Sequence, residues 1–167
     1  MNFVYTSDIG FPFKRIWIML TRVFILFLAF ISSSQLWAIT CYYTLAKENC
    51  WSKYTISVDV IDAMSNKVLT TVTVPEGKMW VRQTFPCEAA QKLMYQARFS
   101  PMIWESEKGK VYPAKNYWSL PTEIHPGDTA WNVSVCYPED FSQVPLPPEA
   151  TGHCSCDFKS IPVIQPQ

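Results

Sequence analysis

Three potential metal donors fall within four residues in Gly152-His153-Cys154-Ser155-Cys156-Asp157. An imidazole and two thiolates suit zinc or copper(I), so His153, Cys154 and Cys156 form one candidate constellation. A closed structural site wants a fourth ligand, and the sequence has no second Cys-x-x-Cys motif to complete a zinc ribbon. The same sulfurs fit disulfide chemistry better. Cys41, Cys50, Cys87, Cys136, Cys154 and Cys156 are an even set, and an even set in an exported chain reads as bridges worth about 2–4 kcal/mol each. The expected pairs are Cys41 with Cys50, closing a short amino-terminal loop, and Cys87 with Cys136, tying the start of one strand to the end of another. Cys154 and Cys156 lie too close together to pair with each other without strain. Neither a metal nor a cofactor is expected.

Hydrolytic chemistry has little to work with. His125 and His153 are the only histidines, and a serine or cysteine nucleophile needs a base beside it. His125 lies in a His-Pro-Gly-Asp turn, and His153 adjoins cysteines that are expected to be bridged. Asp59, Asp62, Glu105, Glu107, Glu139 and Asp140 could supply a carboxylate pair of the glycosidase kind, but Asp59 reads as the polar face of a strand and Glu139-Asp140 as loop. No catalytic residue is assigned.

Aromatic side chains are the stronger functional signal. Beyond residue 38 the chain carries Trp51, Trp80, Trp104, Trp118 and Trp131 together with seven tyrosines, residue types enriched at interface hot spots and able to stack on sugar rings. Trp131 is in phase with Val133 and Val135 and is read as core. Trp104, Tyr112, Tyr117 and Trp118 crowd the irregular middle of the chain and form the candidate interaction surface. Pro145, Pro147 and Pro148 join them, because extended proline-rich segments lose little entropy on docking.

The elements that would position these residues are written in alternation. Tyr54, Ile56, Val58 and Val60 alternate with polar residues, as a half-buried strand requires. Val68–Val74 is rich in β-branched residues, Pro75-Glu76-Gly77-Lys78 supplies turn chemistry, and Met79–Phe85 follows as a third strand. Glu88 onward predicts a helical turn at most, then a strand over Lys92–Phe99. Met102–Glu105 and Lys110–Tyr112 predict a hairpin around Lys108-Gly109, Tyr117–Leu120 a short strand, and Trp131–Val135 a strong one. About seven short strands without long helical periods predict an all-β, antiparallel β-sandwich, immunoglobulin-like by default. The expected domain covers residues 39–141, and 142–167 is a proline-rich, cysteine-containing tail packed on or extending from it.

Residues 1–38 read as an address. Val23–Ile31 is nine apolar residues unbroken, basic residues precede it, and Ala38 follows, the layout of a secretory signal peptide. Cleavage is expected after Ala38, with Ser34 as the other choice and Met19 as a better start than Met1. Membrane attachment enters only if that segment is uncleaved or if Cys41 is lipidated. The 14 basic and 14 acidic side chains cancel and no basic run exceeds Lys14-Arg15, which removes the electrostatic basis for nucleic-acid binding. The expectation is an exported, periplasmic or extracellular, non-enzymatic protein that binds protein partners of the cell envelope, in one version as an accessory subunit of a bacterial secretion assembly. The alternatives are a secreted carbohydrate-binding module and a small hydrolase.

Overall fold

The computed structural model describes residues 39–164. The expected signal segment, its cleavage points and Met19 lie outside the described residues, and so does the end of the tail. Among the described residues no helix is long and apolar enough to cross a membrane.

The architecture is all-β: two sheets packed face to face, three disulfides and, among the described residues, helical structure limited to three single 3-10 turns. The strands are β1 (Ile39–Lys47), β2 (Thr55–Asp62), β3 (Val68–Val74), β4 (Trp80–Cys87), β5 (Lys92–Ser100), β6 (Tyr112–Pro113), β7 (Trp118–Ser119) and β8 (Ala130–Tyr137). The smaller sheet has the order β4-β1-β8; the larger has β3-β2-β5-β6, with β7 also on β5. Every ladder is antiparallel except β1 with β8, which run parallel from Thr40 opposite Ala130 to Lys47 opposite Tyr137.

Alternation explains the packing. Ile56, Val58 and Val60 of β2, Val72 and Val74 of β3, and Leu93, Tyr95 and Ala97 of β5 turn inward. They meet Cys41, Tyr43 and Leu45 of β1, Phe85 of β4, and Val133, Val135 and Tyr137 of β8. Each large apolar side chain removed from water in this way stabilises the fold by about 1.5–3 kcal/mol. Trp51, on the 3-10 turn Asn49–Trp51 after β1, plugs one end of the core. Its ring lies 4.8 Å from Tyr137, 5.1 Å from Phe99 and 5.2 Å from Tyr54, all edge-on, the geometry that aromatic quadrupoles favour.

Lys47, the last residue of β1, is buried. Its ammonium donates to three backbone carbonyls, Tyr54 at 2.5 Å, Pro75 at 3.0 Å and Ser52 at 3.3 Å. One side chain thus ties the end of β1 to the entrance of β2 and to the turn between β3 and β4. In that turn Gly77 has φ +76° and its N–H reaches the Ser52 carbonyl. Burial pushes the Lys47 pKa down to about 8, the negative charge of Glu76 pulling the other way.

The disulfides correct the expected pairs. The bridges are Cys41–Cys87, Cys50–Cys154 and Cys136–Cys156. Cys41 cannot reach Cys50 because six residues of extended strand, about 20 Å, separate it from the end of β1, whereas a bridge tolerates a Cα separation of only about 7 Å. Cys87 and Cys136 stand on strands that flank β1 on opposite sides. Cys87 is opposite Ile39 and Cys136 opposite Ala46, so they are far apart along the sheet as well as across it. Cys41 and Cys87, by contrast, are diagonal neighbours on adjacent strands, with Cα atoms 5.8 Å apart.

Two of the three bridges hold the tail. Cys154 fastens it to the Asn49–Trp51 turn and Cys156 to β8, and Asn49 and Ser155 exchange hydrogen bonds between the two cysteines of the tail. Further along, the Arg82 guanidinium links the Thr44 hydroxyl to the Pro162 carbonyl, at 2.9 Å each, and Ile161 is buried. Elsewhere the local structure departs from expectation at β1, a nine-residue strand for which no strand was predicted, and in two further places. The expected hairpin around Lys108-Gly109 is a 3-10 turn, Glu105–Glu107, and Tyr112 pairs instead with Ala97 of β5. The expected helical turn after Glu88 is a tight turn with Ala90 at φ 60°.

Candidate binding pocket

The expected interaction surface divides when placed on the fold. Trp104, Tyr117 and Trp118 are exposed by 44%, 66% and 39%. Tyr112 is not part of a surface: at 5% exposure its ring stacks on Phe99 with centroids 5.6 Å apart, and its hydroxyl donates to Glu107. Its β-strand pairing turns it inward, and burial, followed by the Glu107 contact, raises its pKa. Of the prolines, Pro148 is exposed, Pro145 half-buried and Pro147 buried. Pro147 is held by a turn in which its carbonyl accepts the Ala150 N–H at 3.0 Å, so it offers no docking surface.

Tyr117 and Trp118 come together with residues that sequence reasoning passed over. Along with Tyr95, Ala114, Asn116, Val135 and Asp140 they line a pocket of about 160 Å³. Three strands build it. Tyr95 comes from β5, Trp118 from β7, which pairs with β5 through Leu93, and Val135 from β8 of the other sheet. The segment Ala114–Tyr117 is fixed on both sides: the Ala114 N–H reaches the Tyr95 carbonyl at 2.9 Å and the Lys115 N–H the Asp140 carbonyl at 2.8 Å.

The electrostatics are asymmetric. Asp140 caps the end of β8, its Oδ2 accepting the Cys136 N–H at 2.7 Å. Among the described residues no cation lies within ion-pair distance of its carboxylate. Tyr95 has a buried hydroxyl with no hydrogen-bond partner, as do Tyr43 and Tyr137. Burial raises the pKa of Tyr95 and Tyr43, and the Asp140 charge raises both further.

Cys154 and Cys156 have their sulfurs in disulfides, so the His153-Cys154-Cys156 metal reading loses two of its three donors. Cys41, the alternative lipidation point, has its sulfur in the bridge to Cys87, so no thiol is free to carry a lipid. Glu48, Cys136 and Glu139 bring ligand-type atoms within 4.8 Å, but Cys136 is bridged too. Burial, then the Glu139 charge, raises the Glu48 pKa, with His153 and Lys115 opposing. His125 meets one carboxylate, Asp128, inside its own turn at 3.6 Å. Asp59, read from sequence as a strand's polar face, is buried, bonded to Arg98 and the Thr71 hydroxyl.

Comparison with protein-family models, with curated proteins and with solved structures finds no match to this chain. The three disulfides indicate a non-cytoplasmic compartment, since such bridges persist where the surroundings are oxidising.

Proposed function

We propose that the protein is an exported, non-enzymatic binding module of the periplasm or cell exterior that acts by contact with a protein partner of the cell envelope. One observation carries this reading. Trp51, Tyr43, Tyr137 and Phe141 are buried in the core, yet the segment between β5 and β8 leaves Trp104, Tyr117, Trp118, Met102 and Val111 substantially exposed. Exposed aromatic and methionine side chains are the residue types enriched at interface hot spots. An accessory subunit of a secretion or other envelope assembly is the specific form proposed.

A tagged pull-down from gently solubilised envelopes tests it. The native protein is expected to recover a defined set of envelope proteins in stoichiometric amount, and a Trp104→Ala/Tyr117→Ala variant to lose them. Recovery of an isolated monomer by both would overturn the reading. A carbohydrate-binding role is the second reading, favoured by the exposure of both Trp104 and Trp118. Its signature is saturable glycan binding lost with Trp118→Ala.

A further inference from the structure

The pocket beside β7 combines four features that point to one kind of occupant. Its volume, about 160 Å³, falls below the few hundred Å³ of ordinary small-molecule sites, and corresponds to a single long side chain. Its rim carries two solvent-facing aromatic side chains, Tyr117 and Trp118. The residues that line it include the apolar Ala114 and Val135 and the polar Asn116 and Asp140. Tyr95 completes it, 3% exposed, its buried hydroxyl without a hydrogen-bond partner among the described residues.

We propose that this pocket seats one arginine side chain of the protein partner. The planar guanidinium lies against Trp118 and Tyr117, donates to the Asp140 carboxylate and the Asn116 carbonyl oxygen, and runs its methylene stem past Ala114 and Val135. Cation–π attraction and fork geometry distinguish arginine from lysine at such a place. A full negative charge without a cation of its own distinguishes it from a sugar. Lys115, the neighbouring cation, puts its ammonium on the Glu139 carbonyl and leaves the Asp140 carboxylate free. Asp140 shares the pocket lining with Tyr95, whose pKa is raised by burial first and by the Asp140 charge second. This proposal rests on the protein-partner reading and names the chemistry of the contact.

The probe is Nα-acetyl-arginine methylamide, titrated into the disulfide-intact protein while the Trp118 indole N–H resonance is followed by NMR. Saturable binding in the millimolar range is expected, weakened at least tenfold by Asp140→Asn and by Trp118→Ala, and weakened several-fold at high salt. Asparagine keeps an oxygen to accept the Cys136 N–H, so Asp140→Asn preserves the cap. Circular dichroism checks that both variants fold. The citrulline analogue, equal in shape but uncharged, is expected to bind at least tenfold more weakly. Equal binding of the two analogues, saturation by glucose or N-acetylglucosamine but not by the arginine probe, or no saturable shift up to about 50 mM would each overturn the proposal.

The envelope pull-down separates this proposal from the reading beneath it. Partners kept by Asp140→Asn but lost with Trp104→Ala/Tyr117→Ala would refute the arginine seat alone. Partners lost with both variants would support the two together.

Discussion

Replacing Lys47 with methionine isolates a single buried charge. Methionine fills nearly the same volume, so the change removes three donors without opening a cavity. The three acceptors are not equivalent. The Tyr54 carbonyl is buried, whereas those of Ser52 and Pro75 are in partly buried surroundings and take up water once the ammonium is gone. A buried carbonyl left without a donor costs about 1–3 kcal/mol. The two others add a few tenths each, and losing the desolvation of the ammonium returns part of the sum, leaving a net loss of about 2 kcal/mol at pH 7. Urea unfolding followed by tryptophan fluorescence, with disulfides intact, measures it. The pH dependence provides a second, sharper readout. The folded pKa is about 8 against about 10.4 in the unfolded chain. Between those values the unfolded chain holds a proton that the folded protein has released, so stability rises with pH. Tyr43, Tyr95 and Tyr137 act in the opposite sense: burial raises their pKa, so above about pH 10 only the unfolded chain ionises its phenols and stability falls. Native protein is therefore expected to be most stable near pH 9 to 10 on these linkages, and Lys47→Met to lack the rise. A loss below about 0.5 kcal/mol together with no rise in the native protein above pH 8 would refute the reasoning.

Two further outcomes follow from the bridges and turns. Removing Cys50–Cys154 with paired alanines is expected to cost about 4 kcal/mol and removing Cys136–Cys156 about 3 kcal/mol, because their sequence separations are 104 and 20. The other bridges shorten the effective loop of the first to roughly 60 residues, and urea midpoints in the reverse order would contradict this account. The Gln91 amide, then Ser65 and Met64, hold the Asp62 carboxyl down at about 2. A depressed carboxylate stabilises above its unfolded pKa of about 3.9 and loses that contribution as pH falls towards 2. Asp62→Asn is therefore expected to show a shallower acid-side decline than the native protein in thermal melts between those values.

β-branched content revealed β3 and the turn after it placed β4, while alternation revealed β2, β5 and β8 to within a residue or two. Alternation did not reveal β1. There Thr44 and Ala46 on the outward phase are buried as well as Cys41, Tyr43 and Leu45 on the inward one, so the period of two is masked in a strand covered on both sides. Missing β1 also misled the cysteine pairing, since it is the register on β1 that separates Cys87 from Cys136. The aromatic half of the pocket was legible, as Tyr117 and Trp118 sit in the aromatic-rich middle of the chain, on a predicted strand too short to bury them. The rest was not. Tyr95 looks like any inward strand residue and Asp140 like any loop carboxylate, and only the meeting of β5, β7 and β8 brings them together. Lys47 was equally hidden, because nothing in a sequence marks which lysine will find three carbonyls.

The parallel contact between β1 and β8 sets the order of assembly. The first described strand is the middle of its sheet, and its neighbours arrive later, β8 only after some ninety further residues. A chain emerging amino end first can pair β2, β3 and β5 among themselves, but β1 keeps one edge open until the last strand is through. Cys50 and Cys136 wait longer still, for partners in the tail. Long-range closure of this kind folds slowly, so the finished sandwich and its tail bridges lock together only once the whole domain is present.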